Sequence, residues 1–122
     1  MTIYALSSGP GLAGISVIRV SGPDTKKVIL KLTNKELPEP RVASRRKINK
    51  IEDNKLIDEG ILIWFPGPRS YTGEDMAEFH VHGSKAVVDA IHASLSIIDG
   101  CRLAEPGEFT KLAFQNGKIN LL

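Results

Sequence analysis

Glu74-Asp75-Met76-Ala77-Glu78-Phe79-His80-Val81-His82, followed at once by Gly83-Ser84 and the run Lys85 to Gly100, decides the fold class of this chain. In the first stretch Phe79 and Val81 alternate with Glu78, His80 and His82. A period of two puts the apolar pair on one face of a strand and the polar trio on the other. In the second stretch Val87, Ala90, Ile91, Ser94, Leu95 and Ile98 recur at helical spacing, opened by Gly83-Ser84 and closed by Asp99-Gly100. A half-buried strand feeding an amphipathic helix predicts an α+β domain.

Upstream, Ile61-Leu62-Ile63-Trp64-Phe65 makes Glu59 to Phe65 a buried strand, stopped by Pro66-Gly67-Pro68 and the loop Ser70-Tyr71-Thr72-Gly73. Arg41 to Lys50 reads as an exposed strand with Asp53-Asn54 as a hairpin tip, and Lys35 to Pro40 as a linker. Ile3 to Leu6 and the β-branched Ile15 to Val20 read as two further strands, the second ending at Ser21-Gly22. Pro23 suits a first helical position, with Val28, Ile29 and Leu32 on one face. Downstream, Arg102 to Ala104 is a short strand. A last helix begins at Pro106, turns Phe109, Leu112 and Ala113 inward, and stops at Asn116-Gly117. The order ββαβββαβα predicts a mixed or antiparallel sheet with three helices on one side.

The chain has 122 residues, 42% hydrophobic and 25% charged, which suits one globular domain. A net charge of +2 is too small to argue by field alone for a nucleic-acid or membrane partner. Cys101 is the single cysteine, so no internal disulfide forms and a reducing compartment is expected. No basic leader precedes Ile3, and no stretch approaches the roughly 18 apolar residues of a membrane span; the expected location is cytoplasmic. The final Leu121-Leu122 pair is expected to pack against something, either as a tail docked on its own domain or as the cut end of a longer polypeptide.

Gly9-Pro10-Gly11-Leu12-Ala13-Gly14 matches GxGxxG, but a dinucleotide fingerprint must open a helix and here a strand follows. No Gly-x-x-x-x-Gly-Lys-Ser/Thr loop occurs, and Asn49-Lys50-Ile51-Glu52 is only a loop-edge echo of a guanine-reading motif, so the chain itself is not expected to hydrolyse GTP. His80 and His82, with Glu78, share a strand face at metal-ligand spacing; ordinary hydrogen bonding is the better reading, and no metal is expected. Glu78, between Ala77 and Phe79, costs desolvation energy unless paired, either with an internal arginine or with a ligand's adjacent N–H donors. Arg19 interrupts Val17-Ile18 and Val20, as an edge-strand charge or as a ligand or salt-bridge group. Arg41, Arg45, Arg46 and Lys47 form a basic stretch without interleaved aromatics, favouring a solvated strand face over a nucleic-acid contact. Cys101 beside Arg102 reads as a small hydrophobe after a helix cap rather than a reactive thiol.

Several blocks together are specific: Thr2-Ile3-Tyr4-Ala5, Gly14 to Gly22, Trp64 to Pro68, Ser70-Tyr71-Thr72-Gly73-Glu74-Asp75, His82-Gly83, and Ala104 to Lys111 running into Ala113 to Lys118. In order and spacing they resemble the amino-terminal domain of the tRNA-modification GTPase family known as MnmE or TrmE. That resemblance implies a fold similar to the folate-binding domain of the glycine-cleavage T-protein. It also implies binding of a 5-formyl- or methylene-type tetrahydrofolate and homodimerisation, over residues 1–118, with 119–122 starting the connection to a following helical domain. By position, Arg19, Glu78 and Lys118 resemble the family's folate contacts. A carboxylate accepts the paired N–H donors of a pterin edge, and cations hold the glutamyl carboxylates or other polar oxygens.

The full-length family additionally uses GTP, magnesium and potassium at sites outside this chain. It works with an FAD-dependent partner protein on the wobble uridine of tRNA, the folate supplying one carbon. Ser84, where the family often has glycine, and Leu112, where arginine is usual, depart from the pattern. Two other classes stay open: a stand-alone one-carbon transfer enzyme of T-protein type, and a dimerisation scaffold without folate.

Overall fold

The computed structural model describes residues 1–8 and 14–120. Residues 9–13 of the GxGxxG stretch and the Leu121-Leu122 pair lie outside the described residues. Nine elements follow in order: β1 (Thr2–Leu6), β2 (Ile15–Ser21), α1 (Thr25–Thr33), β3 (Ser44–Asn49), β4 (Leu56–Phe65), β5 (Met76–His82), α2 (Lys85–Ser96), β6 (Cys101–Leu103) and α3 (Glu108–Gln115). This is the predicted ββαβββαβα order. The strands form one six-stranded sheet, β3-β4-β5-β2-β1-β6, antiparallel throughout except for the parallel β1–β6 pair. The class is α+β with a mixed sheet.

Alternation along β5 does what its sequence demands. Phe79 and Val81 are buried, while Glu78 and His80 are half-buried and His82 is exposed on the opposite face. The apolar face carries the core: Ile18, Val20, Ile48, Leu62, Trp64 and Phe79 from the sheet meet Val28, Ile29 and Leu32 of α1 and Val88, Ile91 and Leu95 of α2. Each such side chain contributes about 1.5–3 kcal/mol by leaving water. Val88, rather than Val87, takes the fully inward position on α2. Ser84 caps that helix, its hydroxyl accepting from the Val87 N–H at 3.4 Å.

Some boundaries move for local reasons. α1 starts at Thr25, whose hydroxyl donates to the Gly22 carbonyl, and Pro23 stays in the preceding turn. β3 begins only at Ser44, because Arg41 takes a left-handed φ of 63° that no strand accommodates. Gly107, at φ 76°, turns the chain into α3 one residue after Pro106.

One expectation is corrected. The three helices do not share a side: α1 and α2 cover the apolar face, whereas α3 lies against the face of Arg19 and Glu78. The Arg102–Glu108 ion pair, the Phe109 ring beside Arg19, and the Tyr71–Thr110 hydroxyl contact fix it there. On this second face Ile3 and Met76 are buried on the side where α3 and the Ser70–Asp75 loop lie. The remainder, with Ile15 and Val17 of β2, His80 and His82 of β5, Ile61 and Ile63 of β4 and Arg45 and Lys47 of β3, has no described element over it. Ile15 is 60% exposed there.

Candidate functional site on the second sheet face

β2 and β5 are neighbours, and their register sets Arg19 directly opposite Glu78. The Arg19 Nη2 donates to Glu78 Oε2 at 3.1 Å, and His80 Nε2 lies 3.0 Å from Oε1. Both carboxylate oxygens are therefore engaged, on a side chain only 18% exposed. The internal arginine is thus the partner Glu78 uses, and because β2 lies inside the sheet, Arg19 is not an edge-strand charge.

Arg19 remains incompletely used. Its Nε is buried with no hydrogen-bond acceptor, and its Cζ sits 5.6 Å from the Tyr71 ring centroid and 5.9 Å from that of Phe109. Arg19, Glu78, Phe65, Tyr71 and Met76 line a recess of about 180 Å3. A guanidinium between aromatic rings, next to a carboxylate, offers a donor, an acceptor and flat walls together. A wider depression of about 350 Å3 on the same face has His80, which bonds Glu78, with Ile15, Ile61, Arg45 and His82 among its walls.

Lys118 is placed differently. Its backbone N–H donates to the Ala113 carbonyl at 2.8 Å, closing the end of α3. Its side chain crosses Gly73, where an added Cβ would stand 3.1 Å from both Lys118 Cε and Asn116 Cβ. Gly73 itself holds φ 86°, so this approach and this backbone both call for glycine. Ser21, Thr72 and Glu74 form a small hydrogen-bonded cluster in the same loop region: Ser21 Oγ is 2.8 Å from Thr72 Oγ1 and 3.3 Å from Glu74 Oε1. Asn116 Nδ2 donates to the Thr72 carbonyl at 2.6 Å. The fold thus joins Arg19 to Glu78 in one contact, and holds Lys118 over the neighbouring loop without a contact to either.

His80 and His82 serve different carboxylates. His82 donates its N–H to Asp58 Oδ2 at 2.9 Å and sets Nδ1 2.9 Å from Oδ1. Burial works to raise the Asp58 pKa, but the bonds from His82 and from the Glu59 N–H outweigh it and hold the carboxyl below its usual range. Among the described residues no three His, Cys, Asp or Glu side chains gather as metal ligands. Burial, with Asp24 nearby, pushes the Cys101 thiol up, away from a reactive thiolate.

Sequence reasoning did not single out the aromatic rings beside Arg19. Phe109 reads as an inward core residue and Tyr71 as a loop residue, and only the correct side for α3 makes them a pair. The sequence signal was the loop itself: an aromatic beside Thr72-Gly73, between a proline-rich stop and an acidic pair.

Fold and site together define an α+β domain with a small, charged, aromatic-walled recess on a partly open sheet face, and no phosphate-gripping loop in its sequence. The chain belongs to the family described as the GTP-binding protein TrmE N-terminus, whose family model matches residues 2–118. It is 75% identical over 122 residues to a tRNA modification GTPase MnmE of Pelagibacter ubique. It is 52% identical over 120 residues to the protein of that name from Phenylobacterium zucineum. Human mitochondrial 5-taurinomethyluridine-[tRNA] synthase subunit GTPB3 is 50% identical over 121 residues. These alignments cover 98 to 100% of the chain but only 28%, 26% and 25% of those three relatives.

Proposed function

We propose that this chain is the tetrahydrofolate-binding, dimer-forming domain of a tRNA-modification GTPase, acting on the wobble uridine together with an FAD-dependent partner. The observation that carries the folate reading is the Arg19–Glu78 pair with a spare, buried Arg19 Nε between Tyr71 and Phe109. A reduced pterin presents adjacent N–H donors for Glu78 and ring atoms that suit the Phe65 and Tyr71 walls; the spare N–H of Arg19 suits one of its oxygens. Lys118, on its stem over Gly73, is close enough to the same loop to meet a carboxylate of the glutamyl tail. When bound, the folate supplies a one-carbon unit; the chain's own residues bind and orient it. GTP, magnesium and potassium belong to other parts of a longer protein, because no loop in this sequence offers the lysine and hydroxyl that grip phosphate and metal.

The recess also supports the dimer. Sites for drug-sized ligands run to about 300–1,000 Å3, and the 180 Å3 recess falls below that range. A second wall is needed, and the open half of the same sheet face is where a second copy would bring it.

Calorimetric titration with 5-formyltetrahydrofolate tests the reading. Wild-type chain binds; Glu78→Ala and Arg19→Ala weaken binding about ten- to a hundredfold, the loss expected for removing a charge-assisted hydrogen bond worth about 1.5–3 kcal/mol. Equal binding by wild type and Glu78→Ala overturns the site, and no binding by wild type favours a scaffold without folate.

A further inference from the structure

The free edge of the sheet is the strongest feature the folate reading leaves unused. β3 is an end strand, so alternate backbone N–H and C=O groups along it face outward without a strand partner. Charge is segregated towards it: seven of the sixteen Lys and Arg residues fall between Lys31 and Lys50, against two of the fourteen Asp and Glu. The fold gathers part of this run around a concavity of about 440 Å3, where Lys35, Arg45, Arg46 and Lys47 stand with Thr33, Asn34, Asn49 and one carboxylate, Glu59, in the wall. Asn34 sits at the left-handed carboxy-terminal cap of α1, which places Lys35 beside the strand.

We propose that this groove, where Lys35 from the end of α1 meets Arg45, Arg46 and Lys47 of β3, docks the phosphodiester backbone of RNA. A solvated edge strand also carries charge, to block pairing with other sheets. That role does not require a concave wall, nor cations recruited from a second element. Arg45 is countered by Glu59 at 2.5 Å, and Arg46 donates to the Glu36 carbonyl at 3.0 Å; among the described residues Lys35 and Lys47 have no carboxylate partner. Arg45 and Lys47 are two residues apart on one strand face, hence about 7 Å apart along it, a spacing that lets each meet a separate phosphate.

The lining chooses the ligand. Every residue of the groove wall is polar, so there is no apolar anchor of the kind that seats a protein on a lipid surface. No aromatic ring lines it either, so bases have nothing to stack on and the contact reads backbone, not sequence. The choice of RNA among polyanions rests on the reading above that the domain works in tRNA modification. It needs neither folate nor the dimer.

The test is fluorescence anisotropy of a labelled, unmodified tRNA transcript titrated with this 122-residue chain at 50, 100 and 200 mM KCl. Each phosphate neutralised contributes about −0.9 to the slope of log K against log[salt] on a duplex. The variant Lys35→Gln/Arg45→Gln/Lys47→Gln, all at exposed positions, is expected to bind at least tenfold more weakly at 50 mM KCl and to lose about two to three units of slope. A variant removing the same charge elsewhere, Lys27→Gln/Lys85→Gln/Lys111→Gln, is expected to keep both. Equal losses in the two variants, wild-type slope in the groove variant, or no binding by the wild type at 50 mM KCl each overturn the proposal. Preference for phosphatidylserine vesicles over the transcript overturns it as well. Folate titration of Lys35→Gln alone, a groove position off that sheet face, is expected to match wild type and separates failure here from failure of the folate site.

Discussion

Glu78 has a donor on each oxygen, and the two are unequal. Arg19 carries a permanent charge, while His80 donates only in a form that carries its proton on Nε2. Removing Arg19 leaves a mostly buried carboxylate with one partner, so Arg19→Met is expected to cost about 1–3 kcal/mol in urea denaturation, more than Glu78→Gln. Equal stability in the two variants would mean water reaches the carboxylate. The sequence marked both residues, because a charge between apolar neighbours within a strand has to be accounted for. It left open that they meet each other: they are 59 residues apart, and only the β2–β5 register joins them.

His92 is a second residue with a sign to work out. Its ring lies 5.4 Å from the Tyr4 ring, and its Nε2 is buried without a partner. Burial lowers its pKa, with Asp89 opposing in part. The unfolded chain therefore takes up a proton near pH 6.5 that the folded chain resists. Stability from this group is full above that pH and falls as pH drops below it. The melting temperature should decline from pH 7 to 5.5 in wild type and less steeply in His92→Gln. Parallel curves for the two proteins would assign the decline to other groups.

At the scale of elements, α3 decides whether Arg19 has a second aromatic ring beside it. The sequence showed one apolar side, Phe109, Leu112 and Ala113, but a helix of eight residues with one apolar stripe does not say which side of a sheet it will cover. That was settled by tertiary contacts outside its own pattern: the Arg102–Glu108 pair at its start and the Asn116–Thr72 bond at its end. The Arg102 guanidinium, helped by the Glu105 N–H, holds the Glu108 carboxyl down to about 2, against partial opposition from burial. A carboxylate depressed in the fold stabilises fully above its ordinary value of 4.5 and loses that contribution as pH falls towards 2. Acid should therefore loosen α3 ahead of the sheet. Hydrogen exchange at pH 3 is expected to show faster amide exchange in residues 108–115 than in β2 and β5. Arg102→Gln should bring that loosening to neutral pH and weaken folate by displacing Phe109. A sheet that exchanges as early as α3 would mean the ion pair is not what holds the helix.

Over the whole molecule, β4 is where sequence and single-chain structure disagree most usefully. Ile61-Leu62-Ile63-Trp64-Phe65 reads as a strand buried on both faces, and the alternation along β5 reads as a strand with one wet face. In the fold Leu62 and Trp64 do pack under the helices, yet Ile61 and Ile63 are only half-buried on the side with no described cover, and Phe65 is only half-buried at the recess. Ile61 and Ile63 on β4 and Ile15 and Val17 on β2 edge a strip whose middle row is Glu78, His80 and His82 of β5, on the face opposite the core. The strand's composition fits a protein in which that strip is covered, and a second copy laid over it would supply the wall the 180 Å3 recess lacks. Sedimentation velocity then has a definite expectation: a dimer for wild type at micromolar concentration, a folded monomer for Val17→Asp/Ile61→Asp. On the proposed dimer, in which a second copy completes the recess, the monomeric variant should also lose folate affinity by at least tenfold although Arg19, Glu78 and Lys118 are intact. A folded monomer that binds folate as well as wild type would leave the recess a single-chain site and remove the dimer from the binding mechanism.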